Sequence, residues 1–596
     1  MRRRAIFACT VLAVALVASL TSATAAGGGT GFLTSRPSML TPVKAGVTVQ
    51  PLLTVGDSLP GGIRFEAIPD GISLRRIPGG RAEVFVNHET SKVPFPFNTA
   101  APTSANGESD FDNSQVTKLI VNTSTGGTRK ASFAIPSSAG YQRFCSNYLA
   151  TTKEGFDRDI LFTNEESPDY VLRQEDSWPP ALNDPAQEEN GVVVALDVKK
   201  GTYHSIYGMG RHNHEISLPM PSFDELAVLS GDDTFTSGPL MVPPGGAVSG
   251  SVPAQSELYS YIAPDTDSLL ADEGDLYAFV SDNPAVDDYY DFTPGSALSV
   301  SGRFIQVPKN IATGKNADGS EIMAEDVGYP EPPNDGSWQR DLRIKTPTGI
   351  DGPQWVLQYW AVQNNVFEFV RVEDIAYDKR AGMGNVAYVV DSGRGTAPAA
   401  APFSGPGIST NGRVWKMVFD PNHPTVVTSM TVFVEGDDQP VKTPTEVHQP
   451  DNIESTQTGL LITEDPGSSQ QFTAAQQTSD AGRATTARLM YVAFANPVVP
   501  EVVARVDQST DNGSTDVDAR PAGNWGAWES SGIVDASAAF GPGAYLIDVQ
   551  AHTLWVESAP GEDTYIDPPP PDPTDNPDFM YKREGGQLLL IRIPGI

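Results

Sequence analysis

The chain has 596 residues, with 40 Lys plus Arg against 74 Asp plus Glu, a formal net charge of −34. That balance argues against general nucleic-acid binding and suits divalent cations. The 39% hydrophobic residues supply a sizeable core, and 55 Gly with 50 Pro point to many short strands and turns rather than to helices.

Residues 1–25 read as an export signal. Arg2, Arg3 and Arg4 form a basic end, an apolar run follows from Ala5 to Leu20, and Ala23-Thr24-Ala25 fits a small-residue cleavage site. Arg3-Arg4-Ala5-Ile6-Phe7 is compatible with twin-arginine or ordinary Sec export. The run is too short for a membrane span, and no later stretch is long and apolar enough for one. A periplasmic or secreted protein is expected. Cys9 leaves with the signal, so Cys145 is the one cysteine of the exported chain, either a buried inert thiol or a metal-bound thiolate.

From residue 26 onward the pattern is that of short strands separated by Gly, Pro, Asp and Asn clusters. Pairs of strands recur six times. Glu83–Glu89 is followed by Thr117–Val121, Ile160–Glu166 by Gly191–Leu196, and Leu226–Asp233 by Glu257–Ile262. Val386–Asp391 is followed by Gly412–Phe419, Gly459–Asp465 by Arg488–Val492, and Tyr545–His552 by Gly586–Ile591. Successive pairs stand about 66–85 residues apart with one gap near 160, longer than a bare four-stranded blade needs. The expectation is an all-β chain: a six-bladed β-propeller over 26–596 with a long loop-rich insertion at about 288–352. A Pro-rich surface segment is expected at Pro568–Pro577. Two or three β-sandwich domains are the alternative, and the regular recurrence of one pattern argues against them.

If the first strands of the six pairs occupy equivalent places in their blades, their acidic ends crowd around one mouth of the central channel. Those ends carry Asn87, His88, Glu89, Glu165, Glu166, Asp232, Asp233, Asp391, Glu464, Asp465 and His552. So many carboxylates in one funnel repel each other unless cations neutralise them. Arg211-His212-Asn213-His214-Glu215, Arg371-Val372-Glu373-Asp374 and Pro450-Asp451-Asn452-Ile453-Glu454 add further clusters. No Gly-x-Ser-x-Gly elbow and no His-Glu-x-x-His motif occurs.

Taken in order, these clusters resemble the PhoX-type alkaline phosphatases. The resemblance rests on Asn87-His88-Glu89, Cys145 with the later pair Glu165-Glu166, and Arg211-x-x-His214-Glu215. It continues through Gly231-Asp232-Asp233, Arg371-x-Glu373 and Pro450-Asp451-Asn452, spanning Phe65 to Ile591. It implies a six-bladed, exported propeller with an iron–calcium cofactor at its mouth, hydrolysing phosphate esters. By the same resemblance Glu89, Cys145, Glu166 and Glu215 are iron-side ligands. Asp232 or Asp233, Glu373 and Asp451 serve mainly calcium, and Arg371 holds the substrate phosphate, with Arg371 and Glu373 at the chemistry. His88, His212 or His214 would orient ligands by hydrogen bonds or protonate a leaving group. The chain departs from the family where Cys145 is followed by Ser146-Asn147-Tyr148-Leu149, and where Asn164 stands in place of the usual cysteine before the Glu-Glu pair. Two other readings fit the same scaffold: a calcium-dependent propeller hydrolase of the phytase or lactonase kind, and a calcium-stabilised extracellular binding propeller without enzymatic activity. A closed propeller can be a monomer.

Overall fold

The computed structural model describes residues 30–89, 114–166, 170–171, 188–234, 256–330, 351–393, 411–437, 446–465, 486–507, 528–557, 565–566 and 582–596. The export segment, the Pro-rich segment and part of the expected insertion lie outside these residues.

Six antiparallel blades surround a central channel. Blade 1 runs outward through Pro69–Ile77, Arg81–His88, Gln115–Asn122 and Thr128–Ile135. Blade 2 comprises Phe144–Ala150, Ile160–Glu165, Val193–Asp197 and Thr202–Ile206. Blade 3 comprises His214–Met220, Leu226–Asp232, Leu258–Ala263 and Asp275–Ser281, and blade 4 Val372–Tyr377, Val386–Asp391, Arg413–Asp420 and His423–Glu435. Blade 5 comprises Pro450–Ser455, Gly459–Glu464, Arg488–Ala493 and Asn496–Val506. Blade 6 takes Glu529–Asp535, Ala544–Glu557 and Lys582–Arg592 from the end of the chain and Thr48–Thr54 from its beginning. The Thr48↔Arg592 and Val49↔Ile591 pairings therefore join the two ends of the chain within one blade. Each first strand packs against the first strand of the next blade, and blade 6 returns to blade 1, so the ring is closed.

Second strands are buried on both faces, which is why they read as unbroken runs such as Gly459-Leu-Leu-Ile-Thr-Glu464. Peripheral strands alternate, as in Val300–Gln306, where Val300, Gly302 and Phe304 are buried and Ser301 and Arg303 exposed. That strand belongs to the stretch expected as loop. It pairs with blade 3 through Asp275–Ser281 and with blade 4 through His423–Glu435, fusing the two blades into one nine-stranded sheet. Phe279, Phe304, Phe367, Phe369 and Trp415 fill the space between these blades. The same stretch also forms the short helix Lys309–Thr313, and the helix Pro353–Gln363 follows it. Pro353 occupies the first turn of that helix, where its missing N–H costs nothing. Trp355, Val356, Leu357 and Ala361 of the helix are buried.

The two strands paired in the sequence reading are the second and third of each blade, not the first. The true inner strands precede them and share one irregularity. Each breaks register at its start, between Pro69 and Ile72, Phe144 and Asn147, His214 and Ser217, Val372 and Ile375, Pro450 and Ile453, and Ser530 and Ile533. A bulge re-aims the side chain it carries. Gly71 shows how tight the bend is, because a Cβ there would come within 2.3 Å of the Asn147 nitrogen.

Candidate metal centre

The bulges place Asp70, Cys145, Glu215, Glu373, Asp451 and Ser531 at equivalent positions around one end of the channel. A second ring comes from the residue just after the second strand of blades 1 to 5, Glu89, Glu166, Asp233, Ser392 and Asp465, and from Gln550 at the matching register within the longer Ala544–Glu557 of blade 6. Together they build three groups of donor atoms, each within 4.8 Å: Asp70, Glu89 and Cys145; Cys145, Glu166 and Glu215; Glu215, Glu373 and Asp451. Cys145 belongs to the first two groups and Glu215 to the last two, so the groups form a continuous series.

Hydrogen bonds fix this arrangement. The Cys145 thiol donates to Asp70 Oδ2 at 2.6 Å, and Ser531 Oγ donates to Asp70 Oδ1 at 2.6 Å. Ser146 Oγ donates to Glu215 Oε1 at 2.7 Å and receives Asn452 Nδ2 at 2.8 Å. Gln550 Nε2 donates to Glu89 at 3.2 Å, and Ser392 donates to Glu373. Arg371 Nε and Nη2 each donate to one oxygen of Asp233 at 2.8 Å, and Nη2 stands 3.2 Å from Glu373.

Burial without enough positive charge dominates the electrostatics. Burial pushes Glu89 up to about 7 despite Arg143 nearby, and pushes Glu166, Glu215, Glu373 and Asp451 well above the usual carboxylate range. It raises Asp70 as well. The Cys145 thiol is held well above its ordinary value, first by burial and then by Asp70, Glu215, Glu166 and Glu89. Glu215 Oε2 and Asp451 Oδ2 are buried and have no hydrogen-bond partner. Carboxylate oxygens left unpaired in such a place carry a desolvation cost that a cation removes. The donor set of oxygens with one sulfur therefore fits hard divalent cations, with one softer metal at the thiolate.

Of the ligands expected from the sequence, Glu89, Cys145, Glu166, Glu215, Glu373 and Asp451 come together here. Asp233 sits at the edge and holds Arg371. Asp232 does not join them. As the last residue of a second strand it pairs in register with His214, accepts Thr234 Oγ1 at 2.7 Å and shares a hydrogen bond with the buried Glu257. The other second-strand ends are likewise one layer out. Glu165, Asp391 and Glu464 accept the backbone N–H of Gln142, Val370 and His448, at 2.9, 2.8 and 2.9 Å. Each acceptor thus pins the chain two residues before an inner strand. His88 bonds Thr117, and His214 bonds Ser230 and the Gly210 carbonyl, so neither enters the donor groups. His212 stacks between His214 and Tyr259. His552 stands 3.4 Å from Glu529.

Asp70 was missed in the sequence, although Pro69-Asp-Gly-Ile72 matches Val372-Glu-Asp-Ile375, Pro450-Asp-Asn-Ile453 and Ser530-Ser-Gly-Ile533. Asn164 has a clear structural role: its amide donates to the Ser146 and Glu215 carbonyls at 2.9 and 3.3 Å and accepts Ser217 Oγ at 2.7 Å. It ties the Cys145 bulge to the Glu215 bulge. Asn87 does the same for blades 1 and 2, donating to the Cys145 carbonyl at 2.5 Å. In blade 6 the equivalent residue is Asp548, fully buried, with neither oxygen hydrogen-bonded to another residue and its carboxyl held well above the usual range by burial. Asp548→Asn restores the amide used in blades 1 and 2. It is expected to raise stability at pH 8 by about 1–3 kcal/mol, the cost of one unsatisfied buried group. Thermal unfolding checks this, and a lowered melting temperature would count against the equivalence.

No family model and no curated protein matches the chain. Among solved structures it is similar to the NanB sialidase of Streptococcus pneumoniae, at 8% identity over 91% of this chain and 70% of that one, with a TM-score of 0.34. A putative 6-phosphogluconolactonase of Bacteroides uniformis matches at 9% identity, 84% and 88% coverage and a TM-score of 0.27. The extracellular domains 1–2 of Drosophila semaphorin 1b match at 8%, 70% and 85%, with a TM-score of 0.21. Likenesses this distant carry nothing about chemistry, and the propeller stands on its own ring of sheets. Among the described residues no helix is long and apolar enough to cross a membrane.

Proposed function

We propose that this chain is an exported metal-dependent hydrolase of phosphate esters, working at a calcium- and iron-binding site in the propeller mouth. The observation that carries the reading is the series of three donor groups beside a fixed arginine. Asp70, Glu89, Cys145, Glu166 and Glu215, the groups that share the thiolate, suit iron. Glu215, Glu373 and Asp451, all oxygen donors, suit calcium. Bound cations would supply Lewis-acid stabilisation of charge on the phosphoryl oxygens.

The chain's own residues supply position. Asp233 grips Arg371 through two parallel hydrogen bonds, and its Nη1 edge stands 3.6 Å from Asp465. Asp233 engages Nε and Nη2, so a phosphoryl oxygen would be approached by the Nη1 side of the guanidinium, whose direction this clamp fixes. Glu373 joins Arg371 to the donor series, so anion and cation sites share one residue.

The test is phosphate release from p-nitrophenyl phosphate at alkaline pH by the mature chain, with its metal content measured. Calcium-dependent turnover is expected. No turnover from protein holding both iron and calcium would overturn the reading and direct attention to other esters. Calcium without iron, and no hydrolysis, would mark a binding propeller.

A further inference from the structure

In blades 3, 4 and 5 the second strand ends on an acid, and the third strand supplies the residue opposite it. In blade 5 Arg488 grips Glu464, with Nε at 2.8 Å and Nη2 at 2.6 Å. In blade 4 Asp391 stands opposite Arg413 in register. Blade 3 sets an acid against an acid at the same position. The Asp232 N–H donates to the Glu257 carbonyl at 3.2 Å, and the two carboxyl groups share a hydrogen bond. Both residues are buried, and among the described residues neither is paired with Lys or Arg. Buried acids in this state lack the compensating charge that the neighbouring blades provide.

An imidazole stands beside Asp232 instead. The ring of His212 is buried between those of His214 and Tyr259, with centroids 3.5 and 4.7 Å away, and its Nδ1 is 3.8 Å from Asp232 Oδ1. That is too long for a hydrogen bond, and neither ring nitrogen has a hydrogen-bond partner of acceptable geometry. A cavity of about 10 Å³ lies between His212, Asp232, Thr234, Tyr259, Gln354 and Gln358, room for one water or one ion. Two donors about 2.1 Å from a common ion stand roughly 3–4 Å apart, as Nδ1 and Oδ1 do here. Gln358 donates its Nε2 to Glu257 at 2.7 Å, which leaves its amide oxygen to the cavity.

We propose that His212 and Asp232 hold a divalent transition-metal ion in this cavity, with Glu257 supplying further negative charge behind Asp232. The ion takes the part that arginine plays in blades 4 and 5. An imidazole beside a carboxylate selects an ion of the zinc class, whereas calcium takes oxygens. Its work is structural, because Asp233, the next residue, clamps Arg371. His212, Asp232 and Glu257 lie outside the three donor groups of the mouth, so this site does not depend on the hydrolysis proposed above.

The test is zinc binding, read apart from turnover. The mature chain, loaded with calcium and iron, is titrated calorimetrically with zinc, and X-ray absorption at the zinc edge identifies the donors. One zinc per chain is expected, in a shell of nitrogen and oxygen with imidazole scattering and without sulfur. His212→Phe keeps a ring for stacking and should weaken that binding at least about a hundred-fold, since it removes a direct ligand. Glu257→Arg copies the pair of blade 5. It should exclude zinc and melt no lower than the zinc-free parent, which guards against a His212→Phe variant that fails to fold. Zinc bound through sulfur would place it at Cys145 and overturn the inference. So would undiminished binding in either variant. No zinc bound at all would mean that the cavity holds a water only, and would overturn it equally.

Discussion

Replacing Cys145 by Ser is expected to strip iron from the protein and to lower phosphate-ester turnover by about three orders of magnitude, the scale of losing a principal electrostatic element. The sulfur is the one soft donor in the series and belongs to two of the three groups, so its loss falls on two sites together. A serine hydroxyl is a poor anionic ligand, whereas a cation beside the thiol would drive its deprotonation despite the surrounding carboxylates. Calcium at Glu215, Glu373 and Asp451 is expected to survive, because Cys145 is not among those donors. Metal analysis of the purified variant decides the matter. Unchanged iron in Cys145→Ser would sink the thiolate assignment whatever the activity. Loss of both metals would indicate instead that the series assembles only as a unit.

The six-fold repeat was legible because second and third strands are long, apolar and often introduced by glycine, as in Gly459–Glu464 and Gly191–Leu196. The inner strands were less legible because each opens on a bulge, where the side-chain period of two is broken. Phe144-Cys-Ser-Asn147 and His214-Glu-Ile-Ser217 share no residue with Pro69-Asp-Gly-Ile72, yet they occupy the same geometry. Chemistry could therefore be read as a list of acids, but not as rings. Asp232 and Asp233 illustrate the limit. They are adjacent in sequence, but one ends the strand and turns to Glu257 while the other passes beyond it and grips Arg371. The strand Val300–Gln306 was hidden by its Pro- and Asp-rich neighbours, although its own alternation is regular.

Removing the cations should make the protein less stable as pH rises, and restoring them should cancel that trend. In the metal-free chain the buried carboxyls have folded values above their unfolded ones, so between the two the native state binds more protons than the unfolded state. Stability then has a negative slope with pH. It is fully present below the unfolded value near 4.5, and for Glu89 it is lost as pH climbs through about 7. Glu89 alone contributes on the order of 3 kcal/mol to this decline. Glu166, Glu215, Glu373 and Asp451 move the same way, each shifted up first by burial. A cation replaces those protons and stabilises the folded chain by mass action, more strongly at higher pH where fewer protons must leave. Melting temperatures of exhaustively dialysed and calcium-reloaded protein at pH 5, 6.5 and 8 would show the two diverging, with the gap widest at pH 8. Parallel curves would mean that the carboxylates of the mouth are not cation ligands, and that the channel solves its charge problem by keeping its protons.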